Sequence, residues 1–192
     1  MEIREPVPVS PVPAGSATRF WVRAGLFAAL TALGAFLRVP LPYVPFTLQY
    51  FFCALSGFLL GPRGGFASQG IYLVLGLAGL PVFTAGGGPA YVFQPSFGYL
   101  LGFLVAAPLV GALARGSLGL FRAYGIALAG VLGVYALGVP WLWGVFHLHL
   151  GDPRTVRWAV VYGFLAPLGG DLVLCGLIAL AAVRLRRLGV FR

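Results

Sequence analysis

The chain has 192 residues, of which 60% are hydrophobic and 9% are charged, and its mean hydropathy is +0.96. Because soluble domains carry charge on about a quarter of their residues, this composition excludes an ordinary soluble protein and predicts one membrane domain. All 13 basic residues are arginine, against 4 acids, and the absence of lysine excludes a standard Walker A loop for ATP hydrolysis.

Residues 1–18 form the first element, a proline-rich segment without an apolar run. It lacks the basic start and hydrophobic centre of a signal peptide, so we predict a retained, disordered cytoplasmic tail. Residues 19–192 then form one transmembrane domain. Its apolar segments lie at about 20–37, 48–61, 64–80, 97–114, 123–144 and 157–183. They predict an all-α membrane protein with six transmembrane helices, since no alternating barrel-strand pattern is present.

The arginines predict the orientation of these helices. With six spans both termini lie on one side, together with ten of the thirteen arginines, and the other side holds Arg38, Arg154 and Arg157. The positive-inside rule therefore predicts that both termini are cytoplasmic. The arginines stand singly or in pairs between apolar runs rather than on one basic face, so we expect the lipid membrane and no nucleic acid as a partner.

Two external stretches have unusual compositions. Residues 38–49 contain three prolines, which stiffen the chain and predict a defined cap. Residues 80–96 are uncharged, and the glycines within them allow close backbone approach to a ligand. These glycines are Gly86, Gly87 and Gly88. A simple turn between helices is the alternative, although such a turn needs only about 2 to 8 residues.

Asp171 is the one acid that falls inside an apolar segment. A carboxylate at membrane depth costs about 2.5–3.5 kcal/mol, so it is expected to have a function or a partner. The preceding Pro167-Leu-Gly-Gly sequence is expected to break the helix and to place Asp171 in the first turn of the last helix. There it could cap the helix, or accept a charge-assisted hydrogen bond from a substrate N–H group.

A second group of polar residues lies where the fourth span begins. Ser96 is a candidate N-cap, and a helix N-terminus also favours an anion such as a substrate carboxylate. Tyr91, Gln94 and Tyr99 place polar groups on otherwise apolar walls, as small-molecule pockets require. Any one of these residues could be structural, but together they favour a binding site.

The first span carries a stripe of small residues, Ala24, Ala28 and Ala32, at intervals of four. This spacing lets another helix approach closely, either from a partner or from within the same bundle. Elsewhere, His147, His149 and Asp152 lack a fourth ligand, so we expect no metal site. No catalytic arrangement of side chains is recognisable, which argues against an enzyme.

Five blocks of the sequence closely resemble the BioY family, the biotin-binding S components of energy-coupling factor (ECF) transporters. They are FAALTALGAFLRVPLPYVPFTLQ (27–49), LLGPR (59–63), GLPVFTAGGG (79–88), PSFGYLLGF (95–103) and GDL (170–172). The resemblance covers about residues 20–185 with all blocks in order. It implies an S-component-like bundle in a prokaryotic cell (inner) membrane, whose irregular external loops close a substrate pocket.

The resemblance also implies function and partners. The chain would capture biotin and associate with a transmembrane coupling subunit and two ABC-type ATPases. It would need no cofactor of its own, because only the partner ATPases use ATP. In the family the alanine stripe of the first helix docks onto the coupling subunit, which here is Ala24, Ala28 and Ala32.

Residue by residue, Asp171 matches the family's aspartate that accepts a hydrogen bond from the ureido ring of biotin. The loop that closes the family's pocket matches residues 40–49. The substrate contacts predicted from the residues and the resemblance together are Asp171, Tyr99, Tyr91, Gln94, Ser96, Gly86, Gly87, Gly88, Phe46, Thr47 and Gln49.

The sequence departs from the family pattern at two positions. Leu174 stands where the family commonly has a lysine near the substrate carboxylate, and Phe97 replaces a glycine. The carboxylate could then be bound by the helix terminus at Ser96, by Gln94, by Arg38, or by no strong partner. The alternatives are an S component for another vitamin, a structural or assembly membrane protein, and a membrane enzyme with Asp171 as a base.

Overall fold

The computed structural model describes residues 15–190, which are almost entirely helical. The helices are α1 (Gly15–Phe36), α2 (Gln49–Leu77), α3 (Phe97–Leu113), α4 (Leu120–Gly144), α5 (Val156–Val160) and α6 (Ala166–Arg187). A 3-10 turn covers Pro89–Phe93, and π-helical turns cover Val145–His149 and Val161–Leu165. Two short antiparallel strands, β1 (Arg38–Val39) and β2 (Phe46–Thr47), pair between α1 and α2.

Helix α2 reverses direction at Gly61, where φ is 74° and ψ is −175° and the next residue is a proline. The Nε2 atom of Gln49 donates to the Oη atom of Tyr72 at 2.6 Å. In a straight helix these two residues would lie about 35 Å apart, given a rise of about 1.5 Å per residue. Residues 49–60 and 62–77 therefore form two arms that run side by side, as the separate apolar segments at 48–61 and 64–80 predicted.

Counted this way, the described chain has six helical stretches: α1, the two arms of α2, α3, α4, and α5 joined to α6. Three stretches are long and apolar enough to cross a membrane by length and composition, namely Gly15–Phe36, Leu120–His149 and Val156–Arg187. The all-helical membrane architecture is thus confirmed. Six complete crossings stay a prediction.

Small residues bring the helices close together. A Cβ atom added to Gly57 would lie 2.3 Å from the carbonyl oxygen of Ala107, and one added to Gly102 would lie 2.7 Å from the Cα atom of Val134. These positions join α2 to α3 and α3 to α4 at backbone contact distance, which favours dispersion contacts between helices in lipid.

Arginines fasten one end of this bundle. The guanidinium of Arg186 donates to the carbonyl oxygen of Phe58 at 3.0 Å and to that of Ala114 at 2.6 Å. Arg122 donates to the carbonyl oxygen of Leu113 at 3.0 Å. These carbonyls belong to helix ends, where they have no intrahelical partner, so the arginines satisfy them and complement the helix dipoles.

The N-terminal boundary differs from the prediction. Helix α1 begins at Gly15, so residues 15–18 are helical rather than part of a tail that ends at residue 18. The rest of the predicted disordered tail lies outside the described residues.

Candidate ligand-binding site

A small cavity lies among α2, α3, α4 and α6, below the segment that joins α1 to α2. We call residues 38–48 the cap segment and residues 80–96 the glycine segment, and both contribute to its wall. The cavity volume is about 70 Å³, enough for several waters but below the roughly 300–1,000 Å³ of small-molecule pockets. A vitamin-sized ligand therefore requires the wall to move outward. The lining residues are Val44, Pro45, Phe46, Thr47, Gln49, Tyr50, Thr84, Ser96, Tyr99, Leu100, Phe103, Val131, Val134, Tyr135, Pro167 and Asp171.

Asp171 supplies the only charge in this lining. It is 8% exposed and accepts a hydrogen bond from the hydroxyl of Tyr135 on α4. Within residues 15–190, the one ion pair joins Arg154 to Asp152 at 2.6 Å, so Asp171 has no basic partner there. A buried carboxylate has about four lone-pair sites, and Tyr135 uses one of them. The remaining lone-pair sites of Asp171 can accept hydrogen bonds from N–H groups of a ligand.

Asp171 does not lie in the first turn of a helix, contrary to our expectation. Pro167-Leu-Gly-Gly does not break the chain, because α5, a π-helical turn and α6 form one continuous stretch over Val156–Arg187. Proline removes the hydrogen bond to the carbonyl four residues earlier, which is that of Gly163. The hydroxyl of Tyr99 donates to this carbonyl at 2.8 Å and satisfies it. A capping role for Asp171 is therefore wrong, since the residue lies inside the helix.

The glycine segment contributes a wall of hydroxyl groups. The Oγ1 atom of Thr84 lies 2.9 Å from the Oη atom of Tyr91, which lies 3.4 Å from the Oγ atom of Ser96. Thr84 and Ser96 line the cavity, while Tyr91 lies behind them, 4% exposed. These groups can donate or accept, so they suit a polar or anionic part of a ligand.

The cap segment joins the wall through its last residues. The hydroxyl of Thr47 donates to the Oε1 atom of Gln49 at 3.0 Å, which orients the Gln49 amide against Tyr72. The ring of Phe46 packs against Gly170 on α6, where a Cβ atom would lie 2.8 Å from the ring. The cap is thus seated beside Asp171.

The tip of the cap segment sits in an aromatic cage formed by Phe146, Trp158 and Tyr162. The ring of Tyr43 lies 4.7 Å from that of Trp158, 5.2 Å from that of Tyr162 and 5.5 Å from that of Phe146, in edge-on geometry. Among the described residues, Tyr43 is the one non-glycine residue with a positive φ, 70°. The cage therefore holds Tyr43 in a backbone conformation that side chains disfavour.

The structure brings together six of the predicted substrate contacts. They are Asp171, Tyr99, Ser96, Phe46, Thr47 and Gln49, all of which line the cavity. The hydroxyl of Tyr99 is occupied by Gly163, so this residue offers its ring to a ligand.

The other predicted contacts are placed elsewhere. Tyr91 supports the hydroxyl wall from behind, and Gln94 is exposed outside the lining. The three glycines shape the glycine segment instead: Gly86 pairs with Phe83, Gly87 packs on the Leu80 carbonyl, and Gly88 donates to the Gly76 carbonyl at 2.7 Å. Direct contact of these residues with a ligand stays a prediction.

The alanine stripe faces largely inward. Ala24 and Ala28 are 0% and 3% exposed, so they pack α1 within the bundle, and Ala32 is half-buried. Docking of a partner on this stripe stays a prediction. Beyond the end of α4, His147 stacks on Trp143 and His149 on Phe93. Over residues 15–190 no group of three metal-ligating side chains is present.

Two features of the site were missed from the sequence. Tyr135 places a hydroxyl group inside an apolar segment. A polar group in an apolar run is the signal that identified Asp171, so the same signal could have identified Tyr135. The aromatic cage had no local signal, because Phe146 lies in the turn after α4, whereas Trp158 and Tyr162 lie beyond the following loop.

The comparisons with known proteins identify the family and the fold. The sequence matches the profile of the BioY family over residues 5–190. It is 43% identical over 173 residues to the probable biotin transporter BioY of Lysinibacillus sphaericus, covering 89% of this chain and 87% of the relative. It is 40% identical over 174 residues to the biotin transporter BioY of Thermotoga maritima, covering 89% and 98%. A crystal structure of the S-component for biotin from an ECF-type ABC transporter superposes with a TM-score of 0.79 at 27% identity, covering 92% of this chain and 95% of that one.

Proposed function

Because the chain belongs to the BioY family, we propose that it is the biotin-binding S component of an ECF-type uptake transporter. The observation that carries the proposal is Asp171, a carboxylate in the cavity wall with Tyr135 as its hydrogen-bond donor and no basic partner among the described residues. The ureido ring of biotin offers two N–H donors. A carboxylate acceptor makes such bonds about twice as strong as neutral ones.

The rest of the cavity suits the remaining parts of biotin. Phe46, Leu100 and Phe103 provide an apolar wall for the thiophane ring and the alkyl chain. The cavity is smaller than the ligand, so the cap segment opens to admit biotin and then closes over it with the cavity wider than in the empty protein. Biotin then replaces contacts between the cap and the walls with contacts of its own.

The same proposal covers the energy source. The chain contains no lysine, so a standard Walker A site is excluded and a transmembrane coupling subunit with two ABC-type ATPases would supply the energy. We propose that the protein is not an enzyme, uses no cofactor, and lies in the prokaryotic inner membrane with both termini in the cytoplasm. The arginine-rich bundle end, which includes Arg122 and Arg186, supports this orientation.

Binding of biotin by the detergent-purified chain tests the proposal. We expect one biotin per chain by isothermal titration and a biotin-induced rise of the unfolding temperature. Asp171→Asn, which preserves volume and removes the charge, should weaken biotin binding roughly tenfold to hundredfold, since hydrogen bonds to charged groups contribute about 1.5–3 kcal/mol.

The matched control is Asp152→Asn, which removes the other described acid, at a site paired with Arg154 and remote from the cavity lining. It should bind biotin like the wild type. Wild-type protein that shows no biotin-induced stabilisation, but is stabilised by riboflavin or thiamine, would contradict the choice of biotin.

A further inference from the structure

The cavity wall contains one acid and no arginine. Leu174, at the position where the family commonly has a lysine, is 3% exposed and does not line the cavity. An anionic group of a ligand would therefore find hydroxyl and amide groups in the wall, but no positive charge. An arginine next to this wall would supply that charge.

Arg38 contacts two residues that line the cavity. It lies on β1 directly opposite Thr47 on β2, and residues paired across strands place their side chains on the same face. Its Nη1 atom donates to the carbonyl oxygen of Thr84 on the glycine segment. Thr47 and Thr84 both line the cavity. The exposed Arg38 side chain thus links the cap segment to the glycine segment next to the cavity, just outside its lining.

The guanidinium of Arg38 retains capacity for a ligand. It has five N–H donors, and its described hydrogen bond uses one. The other arginines near this end are placed differently. Arg154 donates twice to Asp152, at 3.0 and 2.6 Å, and Arg157 is exposed on α5, which contributes no residue to the lining.

We propose that Arg38 binds the carboxylate of the ligand and makes the site selective for the anionic form of biotin. The proposal rests on the proposed function. The hydroxyls of Thr84 and Ser96 lie on the same side of the cavity and can donate to the same carboxylate. A carboxylate bound by Arg38 also joins the cap segment to the glycine segment, so the ligand itself becomes part of the closure.

The test compares biotin with biotin amide, which is neutral at the same position. Dissociation constants of both ligands are measured for the wild type, Arg38→Gln, Arg38→Lys and Arg157→Gln. The wild type should prefer biotin over the amide by roughly tenfold to hundredfold, the range for hydrogen bonds to charged groups. Arg38→Gln should reduce this ratio to about one, because it weakens biotin far more than the amide, which loses only the contact between the cap segment and the glycine segment.

The two other variants separate charge from geometry. Arg38→Lys keeps the charge and loses the planar fork, so its ratio should fall between those of the wild type and Arg38→Gln. Arg157→Gln removes an equal charge from the same face of the protein and should keep the wild-type ratio. A ratio that falls equally in both glutamine variants would show a general field effect and overturn the assignment to Arg38.

The two ligands also separate carboxylate recognition by Arg38 from biotin binding itself. If the wild type binds biotin and the amide equally, or if Arg38→Gln keeps the wild-type preference, carboxylate recognition by Arg38 is overturned and biotin binding stands. If the wild type binds neither ligand, both proposals are overturned. Asp171→Asn should weaken both ligands by the same factor, because it contacts the end that they share.

Discussion

The two segments that border the cavity are held in place by different kinds of contact. The glycine segment is fixed by its backbone: Phe83 pairs with Gly86, Gly88 donates to Gly76, and Tyr91 donates to Gly88. The cap segment has backbone bonds at its base, through β1 and β2, and one short turn from Val44 to Pro42.

Beyond that base, side chains hold the cap segment. Tyr43 lies in the aromatic cage, and Arg38 reaches the Thr84 carbonyl. Ring contacts at a surface can separate while the backbone around them keeps its hydrogen bonds. Moving the glycine segment would instead break its backbone hydrogen bonds. The glycine segment is therefore a fixed wall, and the cap segment is the part that opens for the ligand.

The largest loss of stability is expected when the glycine segment is displaced by a substitution at Gly76. A Cβ atom there would lie 2.0 Å from the Cζ atom of Phe83, which is 1% exposed, so Gly76→Ala displaces the ring from its slot. We expect a loss of about 3 kcal/mol of stability, at the upper end for overpacking, seen as a lower unfolding temperature in detergent.

Gly70→Ala is the matched control for this change. It lies on the same arm of α2, and its Cβ atom would meet Leu104 at 4.0 Å, an ordinary contact. It should unfold at the wild-type temperature or slightly above it, since alanine favours the helix. Equal losses in the two variants would contradict the role of the Phe83 slot.

The next effect, on rates, is expected when the aromatic cage is emptied. Tyr43→Ala removes three ring contacts worth about 0.5–1.5 kcal/mol each, so biotin should dissociate roughly tenfold to two-thousandfold faster. The unfolding temperature without ligand should change little, because the Tyr43 side chain is 42% exposed and lies outside the core of the bundle. Stopped-flow or filter-binding measurements of dissociation check this.

Tyr43→Phe serves as the control, because it keeps the ring and removes only the hydroxyl. It should release biotin at the wild-type rate. If Tyr43→Ala also released biotin at the wild-type rate, the aromatic cage would not hold the cap segment closed. The proposed difference between a fixed glycine segment and a cap segment held by side chains would then be wrong.

The smallest effect is expected at the hydrogen bond from Tyr99 to the Gly163 carbonyl, just before α6. Tyr99→Phe leaves the Gly163 carbonyl without its donor, at a cost of about 1 kcal/mol. In a Pro167→Ala background, the new N–H of residue 167 can donate to this carbonyl, so the same change should cost close to nothing. A double-mutant cycle of unfolding free energies measures the difference, and equal costs in the two backgrounds would show that Tyr99 does not compensate for the proline.

Features carried by local composition were predictable from the sequence. The apolar runs gave the helical stretches, and Gly61-Pro62 separated two of them because glycine allows the positive φ and proline lacks an N–H group. Asp171 was identified because a charge in an apolar run is costly wherever the helix packs. The family resemblance supplied its role.

Features created by tertiary contacts were not predictable in this way. Where the helix continues past Pro167, Tyr99, far away in sequence, satisfies the freed carbonyl. Likewise, the bond from Tyr135 to Asp171 depends on how α4 and α6 are aligned, and the burial of Ala24 and Ala28 depends on which face of α1 meets the bundle. Sequence spacing alone does not fix these alignments.

The positive φ of Tyr43 has a consequence for the unliganded protein. An L-residue in the left-handed region is disfavoured by roughly 1–2 kcal/mol, and this cost is present only while the ring is seated in the aromatic cage. On its own it raises the equilibrium population of open states by about five- to thirtyfold, since about 1.4 kcal/mol corresponds to a factor of ten. The empty binding protein therefore samples accessible conformations more often than a relaxed cap would allow, and biotin shifts that equilibrium towards closure.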